Sequence, residues 1–166
     1  MITRILPAFS PEERAVAIAE AVQLLGRGAV VALPTETVYG LAADALNAEA
    51  ALEIFEAKER PHFDPLIVHL SNAGWLWRVA SVPEASRDIV ERLTAKFWPG
   101  PLTLVLPRQQ IVPDVVTSGL RTVAVRVSAH PVFRDIVGAF GKPLAAPSAN
   151  RFGRISPTLA DHVRSE

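Results

Sequence analysis

The chain has 166 residues, a balanced charge of 17 Lys and Arg against 17 Asp and Glu, and no cysteine. This length and a single hydrophobic pattern predict one domain over residues 1–166, large enough to bury about 70% of its unfolded surface. The lack of cysteine excludes a disulfide framework and a thiolate metal site, and no apolar run reaches the roughly 18 residues of a membrane span. Because the N-terminus also lacks a secretory signal, we expect a cytoplasmic protein that does not enter a membrane.

Charged residues are unevenly distributed along the chain. Residues 1–57 contain three Lys or Arg against eight Asp or Glu, whereas residues 121–154 contain six against one. This split indicates one face suited to an anion, although a solvated surface would give the same pattern.

The N-terminal part predicts a helix, a strand and a polar segment in turn. Residues 10–13 supply an N-cap, a proline at the first helical position and a capping-box glutamate, so we expect a helix to about Leu25. The evenly apolar residues 29–33 are typical of a buried strand. The polar segment 35–41 follows at the strand end, where open α/β sheets bind ligands; its threonines are either hydroxyl donors to a ligand or part of a local turn.

A second helix delivers two cations to a loop. Asn47 can cap a helix over residues 48–59, and Pro61 ends it. Lys58 and Arg60 therefore lie where regular structure stops. A lysine at this place either complements the negative end of its own helix or, together with Arg60, binds an anion.

Strands and helices alternate along the rest of the chain. The predicted strands are residues 66–70, 102–106 and 122–127, with a short one at 144–146. The predicted helices run from Pro83 to before Trp98, with Ile89, Val90 and Leu93 inward, and from Pro131 to an end at Gly138 to Gly141. A last helix is capped by Thr158. Segment 72–79 has no clear type. Because an irregular segment at 112–119, rather than a helix, precedes the strand at 122–127, we predict an α/β fold with a mixed sheet.

Polar groups interrupt this apolar pattern at two places. Arg126 lies inside a predicted strand, and burying an unpaired cation costs several kcal/mol, so it must pair with an acidic group or face a ligand. Ser148 and Asn150 lie in the loop after the last strand. We expect this pair to converge with Lys58 and Arg60 on one anion-binding hollow.

The sequence does not support several common sites. It has no P-loop motif, no dinucleotide glycine pattern and no hydrolase elbow around a serine. The histidines at 62, 69, 130 and 162 lack metal-ligand spacing, so no protein metal site is predicted. From the residues alone, the prediction is an anion-binding α/β domain.

Segments spread over most of the chain resemble the YrdC-like family of threonylcarbamoyl-AMP synthases, in the family's order. They are residues 34–41, 58–61, 65–69, 97–103, 122–126, 146–150 and 156–158. The resemblance implies a YrdC-like twisted mixed sheet with helices on its convex side and a basic concave face.

The resemblance also implies an activity. L-threonine, bicarbonate and ATP, with Mg²⁺ on the nucleotide, would be joined into threonylcarbamoyl-AMP with release of pyrophosphate. This product supplies the threonylcarbamoyl group for tRNA. The implied macromolecular partners are therefore tRNA or double-stranded RNA and the downstream threonylcarbamoyl-transfer proteins.

Site residues are implied by the same resemblance, position by position. Lys58 and Arg60 would be the catalytic, phosphate-binding pair. The implied ATP-binding set is Lys58, Arg60, Asp64, Thr122, Ser148, Asn150 and Ser156. The implied L-threonine-binding set is Thr37, His69, Arg126 and Ala146, with Arg126 on the substrate carboxylate.

The chain departs from the family pattern in three places. Asp64 stands where the family usually has asparagine, and a carboxylate near phosphates repels them unless it is protonated or bridged by a metal. Phe152 replaces a small polar residue. The family's later strand with a Glu-Ser-Thr-like motif, and its Arg-Pro-Gly-like segment, are expected to be missing from this domain.

Two other functions are compatible with these residues. A binding module for structured RNA would use the basic residues between 121 and 154, and would show steep salt dependence without pyrophosphate release. A related adenylating domain that uses carbamoyl phosphate, as in hydrogenase-maturation proteins, would carry cysteine-rich segments, and this chain has no cysteine.

Overall fold

The computed structural model describes residues 3–61 and 63–165. Within these ranges the chain forms a six-stranded sheet with helices packed against it. The strands are β1 (Val31–Pro34), β2 (Tyr39–Asp44), β3 (Ile67–His69), β4 (Leu104–Pro107), β5 (Thr122–Arg126) and β6 (Leu144–Ala145). The helices are α1 (Pro11–Gly26), α2 (Ala48–Lys58), α3 (Leu76–Val79), α4 (Arg87–Phe97), α5 (Asp114–Thr117), α6 (Pro131–Phe140) and α7 (Ala160–Arg164). Among the helices of this described part, none is long and apolar enough to cross a bilayer.

The sheet is mixed, with the strand order β1-β2-β6-β3-β5-β4. Strands β3 and β5 are parallel, and the other named strand pairs are antiparallel. The predicted α/β class with a twisted mixed sheet is therefore confirmed, whereas the convex placement of the helices and the basic concave face stay predictions. The parallel register sets His69, at the end of β3, beside Arg126, at the end of β5.

Local sequence signals set the ends of the first two helices. The Ser10 side chain accepts a hydrogen bond from the Glu13 N–H at 3.1 Å, and the Glu13 carboxylate accepts one from the Ser10 N–H at 3.1 Å. This is the predicted capping box. Asn47 caps α2 as expected, and α2 ends at Lys58, because the C-cap residue Glu59 has a left-handed φ of 51° that turns the chain out of the helix.

Two hydrophobic cores lie on opposite faces of the sheet, because side chains alternate along each strand. Ala43 and Ala145 pack with Phe55 of α2 in one core, which also receives the apolar side of β5. Ala42 and Leu144 belong to the other core, together with side chains of α1 and α6. The strands that carry the site loops are therefore buried on both sides.

Two elements differ from the sequence prediction. Residues 39–44 form strand β2, which the sequence does not predict because glycine and alanine, both depleted in strands, dominate this stretch. The segment 112–119, predicted to be irregular, contains α5, which is a single helical turn.

Two side-chain predictions are wrong. Ile89 was expected to face inward but is 57% exposed, because the buried stripe of α4 runs through Val90 and Thr94. Thr158 was expected to cap the last helix. The N-cap position of α7 is Leu159 instead, and an apolar leucine side chain cannot accept the capping hydrogen bond.

Candidate active site

Lys58 connects the end of α2 with the loop after β6. The residue is 2% exposed, and its Nζ donates hydrogen bonds to the Ser148 carbonyl oxygen at 2.5 Å and to the Asn150 carbonyl oxygen. The Phe152 N–H donates in return to the Lys58 carbonyl oxygen at 3.0 Å. Lys58 therefore contacts the loop that carries Ser148 and Asn150, through backbone carbonyls of that loop, whereas the convergence of Arg60 with them on one anion-binding hollow stays a prediction. Charge-assisted hydrogen bonds of this kind offset the cost of burying the ammonium.

The backbone of β2 holds the same loop in place. The Ala149 N–H donates to the Tyr39 carbonyl oxygen at 2.8 Å. The two segments approach closely at Gly40, where a Cβ would lie 3.3 Å from the Ala146 Cβ. A glycine at this position therefore allows the loop at 146–150 to extend the sheet.

The Asn150 side chain is oriented by its own loop. Its Nδ2 donates to the carbonyl oxygens of Arg151 at 2.7 Å and Arg154 at 2.9 Å. Its Oδ1 is buried and, within the described part of the chain, accepts no hydrogen bond.

Arg60 is paired with the unusual acidic residue of the loop. Its Nη2 lies 2.8 Å from the Asp64 carboxylate, and its Nε and Nη2 donate to the backbone carbonyls of Asp64 and Pro65 at 3.2 and 3.1 Å. Burial lowers the pKa of Arg60, and the charge of Asp64 opposes this effect. The Asp64 carboxylate therefore forms an ion pair with the Arg60 guanidinium, which is predicted to bind phosphate.

Arg126 also has an internal partner. Its Nη2 donates to Glu36 Oε1 at 2.9 Å and to Thr37 Oγ1 at 3.2 Å. The sequence required either an acidic partner or a ligand for this cation, and the structure supplies the acidic partner. The contact with Thr37 also brings together two of the residues predicted to bind L-threonine.

Sequence reasoning missed Glu36 and Ser128. The Ser128 hydroxyl donates to Glu36 Oε2 at 2.5 Å. Burial raises the pKa of Glu36, but hydrogen bonds from Ser128, Arg126 and the backbone outweigh it and lower the pKa to about 2. The carboxylate is therefore ionised at neutral pH. The sequence signal that could have indicated Glu36 is Arg126, because a lone cation in an apolar strand requires an acidic partner.

His69 is a neutral, buried ring beside Arg126. It is 3% exposed, and its ring centroid lies 4.7 Å from that of Phe133. Burial and the nearby charge of Arg126 lower the pKa of His69 to about 4, against the opposing effects of Glu36 and a hydrogen bond with the Ala146 backbone. His69 is thus a neutral hydrogen-bonding group at physiological pH, and it lies close to the Ala146 backbone predicted to share its ligand.

Several buried polar atoms around these residues lack a hydrogen-bond partner within the described residues. They are His69 Nδ1, Arg126 Nε, His130 Nδ1 and Asn150 Oδ1. Buried polar atoms in native proteins are nearly always paired, so a group of unpaired ones suggests that a ligand completes the site.

Thr122 and Ser156 are placed by the strand register and by a backbone contact of β2. Thr122 begins β5, and the β3–β5 register sets it level with Pro65, whereas Arg126 lies at the other end of the same strand, about 13 Å away. Ser156 is half-buried and precedes a residue whose carbonyl oxygen accepts the first N–H of β2. The predicted ATP-binding set therefore includes Thr122 at the start of β5, and the predicted L-threonine-binding set includes Arg126 at its end.

Two surface cavities, of about 550 and 440 Å³, lie elsewhere, beside α1 and α6. Ile18 and Asp135 line both of them, and neither is lined by a predicted site residue. The residue at 62, one of the histidines in the metal-site argument, lies outside the described part of the chain.

Comparison with known proteins identifies the family. The Sua5/YciO/YrdC family model, described as telomere recombination, matches residues 23–166. The chain is also 50% identical over 140 residues to the threonylcarbamoyl-AMP synthase of Pyrococcus abyssi, and 47% identical over 148 residues to that of Bacillus subtilis. These alignments cover 84% and 88% of this chain. The chain therefore belongs to the Sua5/YciO/YrdC family, as its motifs predicted.

A solved structure shows the same fold. The chain superposes on the crystal structure of Pyrococcus abyssi Sua5 complexed with L-threonine with a TM-score of 0.82 and 44% identity. The match covers 99% of this chain and 45% of that one. The chain likewise spans only 40% and 42% of the two synthases.

Proposed function

We propose that this chain carries the active site of an L-threonylcarbamoyl-AMP synthase. The reaction would convert L-threonine, bicarbonate and ATP into threonylcarbamoyl-AMP, pyrophosphate and water. The observation that carries the proposal is the hydrogen bond from Lys58 Nζ to the Ser148 carbonyl oxygen at 2.5 Å, because it joins the two motifs proposed to bind phosphate. The similarity to named threonylcarbamoyl-AMP synthases supports the choice of reaction.

The nucleotide would bind between the α2 end and the loop after β6. Lys58 and Arg60 would stabilise negative charge on the phosphates, and Mg²⁺ would enter bound to ATP as part of the substrate. Ser148 and Asn150 would supply a hydroxyl and an amide. The other residues proposed to lie next to ATP are Thr122, Ser156 and Asp64, whose carboxylate would oppose the phosphates.

L-threonine would bind at the other end of β5. The substrate carboxylate would accept hydrogen bonds from the Arg126 guanidinium, whose Nε has no partner within the described residues. Thr37, the neutral ring of His69 and the Ala146 backbone would supply the remaining polar contacts. The similar Pyrococcus abyssi Sua5 has been crystallised in complex with L-threonine, which supports an amino acid as the ligand here.

The chemistry would require positioning and charge stabilisation rather than a covalent enzyme intermediate. The threonine amine attacks bicarbonate, and loss of water leaves a carbamate. A carbamate oxygen then attacks the α-phosphorus of ATP in line, and the bond to pyrophosphate breaks. Lys58 and Arg60 would stabilise the charge that develops on the phosphates during this step.

We further propose that the product is used in the cytoplasm to modify tRNA. The chain would then meet tRNA or double-stranded RNA and the proteins that transfer the threonylcarbamoyl group. The excess of basic residues between 121 and 154 supports contact with RNA.

The proposal is tested by incubating the chain with MgATP, bicarbonate and L-threonine and detecting threonylcarbamoyl-AMP by mass spectrometry. Threonylcarbamoyl-AMP is expected only when all the substrates are present, and with L-serine in place of L-threonine the corresponding serine adenylate is expected in smaller amount or not at all. The absence of this adenylate from the complete mixture would contradict the proposal. Salt-sensitive RNA binding without pyrophosphate release would instead favour an RNA-binding module.

A further inference from the structure

The nitrogen atoms of the Arg126 guanidinium have different surroundings. Nη2 is held by the chain itself, through Glu36 Oε1 at 2.9 Å and Thr37 Oγ1 at 3.2 Å. Nε is buried and has no hydrogen-bond partner within the described residues. Since Arg126 is 9% exposed, this unpaired donor cannot be satisfied fully by bulk water.

The Glu36 carboxylate is also held by a hydrogen bond from Ser128, which follows β5. Its second oxygen accepts a hydrogen bond at 2.5 Å from Ser128, which is fully buried. The Ser128 hydroxyl oxygen also accepts the His130 N–H at 3.2 Å. The carboxylate is therefore anchored to the backbone after β5, and displacing it from Arg126 would break an additional buried hydrogen bond.

We propose that Glu36 is a positioning residue for the amino-acid substrate: it holds Arg126 so that Nε faces the incoming carboxylate. This inference rests on the proposed function. Because a guanidinium carries five N–H donors in a rigid plane, it can bind Glu36 and a substrate carboxylate at the same time. The substrate therefore adds to the Glu36–Arg126 pair and does not replace Glu36.

The contacts of Glu36 argue against a role as the base that deprotonates the substrate amine. Both carboxylate oxygens already accept hydrogen bonds, from Arg126 and Ser128. Although burial raises the pKa of Glu36, these hydrogen bonds lower it to about 2, far from the neutral pH at which an efficient general base works. Glu36 acts through Arg126.

Two substitutions of Glu36 distinguish the loss of its negative charge from the loss of its hydrogen bonds. In Glu36→Gln, the amide oxygen can still accept from Arg126 and the amide nitrogen can donate to the Ser128 hydroxyl oxygen, so the orientation of Arg126 is kept. In Glu36→Ala, both contacts are lost. Glu20→Ala is the matched control, because Glu20 pairs with Arg4 at 2.8 Å on the surface and away from the site.

Steady-state kinetics give the first readout. Glu36→Ala should raise the KM for L-threonine roughly tenfold, as expected for a lost charged hydrogen bond, with kcat and the KM for ATP nearly unchanged. Glu36→Gln should raise the KM for L-threonine less than about threefold, and Glu20→Ala should have no effect. An unchanged or lower KM for L-threonine in Glu36→Ala would overturn the proposal, and so would a large loss of kcat in Glu36→Gln.

A second readout does not depend on the proposed function. The Arg126 Nε–Hε signal in the NMR spectrum of the ligand-free chain is assigned from its loss in Arg126→Lys. The signal should exchange slowly with water in the unmodified chain and in Glu36→Gln, and rapidly in Glu36→Ala. Equal exchange in all three would overturn the positioning role even if the chain makes threonylcarbamoyl-AMP, whereas failure to make that product would refute the proposed function alone.

Discussion

His69 and Arg126 lie side by side at the ends of the parallel strands β3 and β5, and both are buried. At neutral pH the imidazole is neutral, because burial disfavours its charged form and the neighbouring guanidinium repels a second cation, which together outweigh the opposing charge of Glu36. The ring can therefore donate and accept hydrogen bonds without adding positive charge to the site.

The free energy of unfolding should depend on pH because of the buried His69 ring. The pKa of His69 is lowered from 6.5 to about 4 in the folded chain, so the unfolded chain binds more protons between these values. The stability that comes from keeping His69 neutral is fully present above pH 6.5 and is lost as the pH falls toward 4. We expect the free energy of unfolding to fall by up to about 1.4 kcal/mol per pH unit from this residue.

Urea unfolding at several pH values checks this expectation. His69→Gln should show a shallower pH dependence than the unmodified chain between pH 6.5 and 4, the range set by the His69 pKa shift. His162→Gln is the matched control, because His162 is exposed on α7, and it should keep the original slope. An unchanged slope in His69→Gln would show that His69 is not held neutral by its surroundings.

Asp64→Asn should strengthen ATP binding. The Asp64 carboxylate lies 2.8 Å from the Arg60 guanidinium and competes with phosphate for it. Removing the charge should lower the Kd for MgATP about two- to fivefold, in line with a partly exposed ion pair worth up to about 1 kcal/mol. Calorimetric titration measures this directly, with Asp161→Asn in the exposed pair to Arg164 as the control. Weaker binding in Asp64→Asn would instead indicate that Asp64 helps to hold the nucleotide.

Gly40→Ala should disturb the loop after β6. Its Cβ would lie 3.3 Å from the Ala146 Cβ, which requires β2 and this loop to separate by a few tenths of an ångström. We expect a destabilisation of about 1–3 kcal/mol, as for other overpacking changes, together with a higher KM for L-threonine. Gly26→Ala is the control, since no heavy atom lies within 4 Å of its added Cβ. Equal thermal stability of the two variants would contradict the close packing at Gly40.

The sequence predicted most of the elements but not the pairing of side chains across the sheet. Capping residues and apolar runs are local signals, so α1, α2, β3 and β5 could be placed from them. The partner of Arg126 could not, because residues 1–57 alone contain eight acidic side chains and any of them could supply the charge. In the sheet, β6 and β3 lie between β2 and β5, so Glu36, in the loop before β2, reaches Arg126 only through a long-range contact across the sheet that no local sequence signal predicts.

The family motifs predicted the contact between Lys58 and the 148–150 loop, but not its form. The side chain of Lys58 donates to backbone carbonyls of this loop rather than to the side chains of Ser148 and Asn150. Likewise, the pairing of Asp64 with Arg60 depends on the turn after α2, whose left-handed residue Glu59 has no distinctive sequence signal.

MgATP affinity of site variants tests the central claim, that the α2 end and the loop after β6 form one phosphate site. Calorimetric titration of Lys58→Ala and Arg60→Ala should show at least about tenfold weaker binding than the unmodified chain, because each loses a charged group at the phosphates. Arg92→Ala, whose side chain is 79% exposed on α4, should bind as the unmodified chain does. If Lys58→Ala and Arg60→Ala bind MgATP as tightly as Arg92→Ala does, the nucleotide does not bind at this site and the account is contradicted.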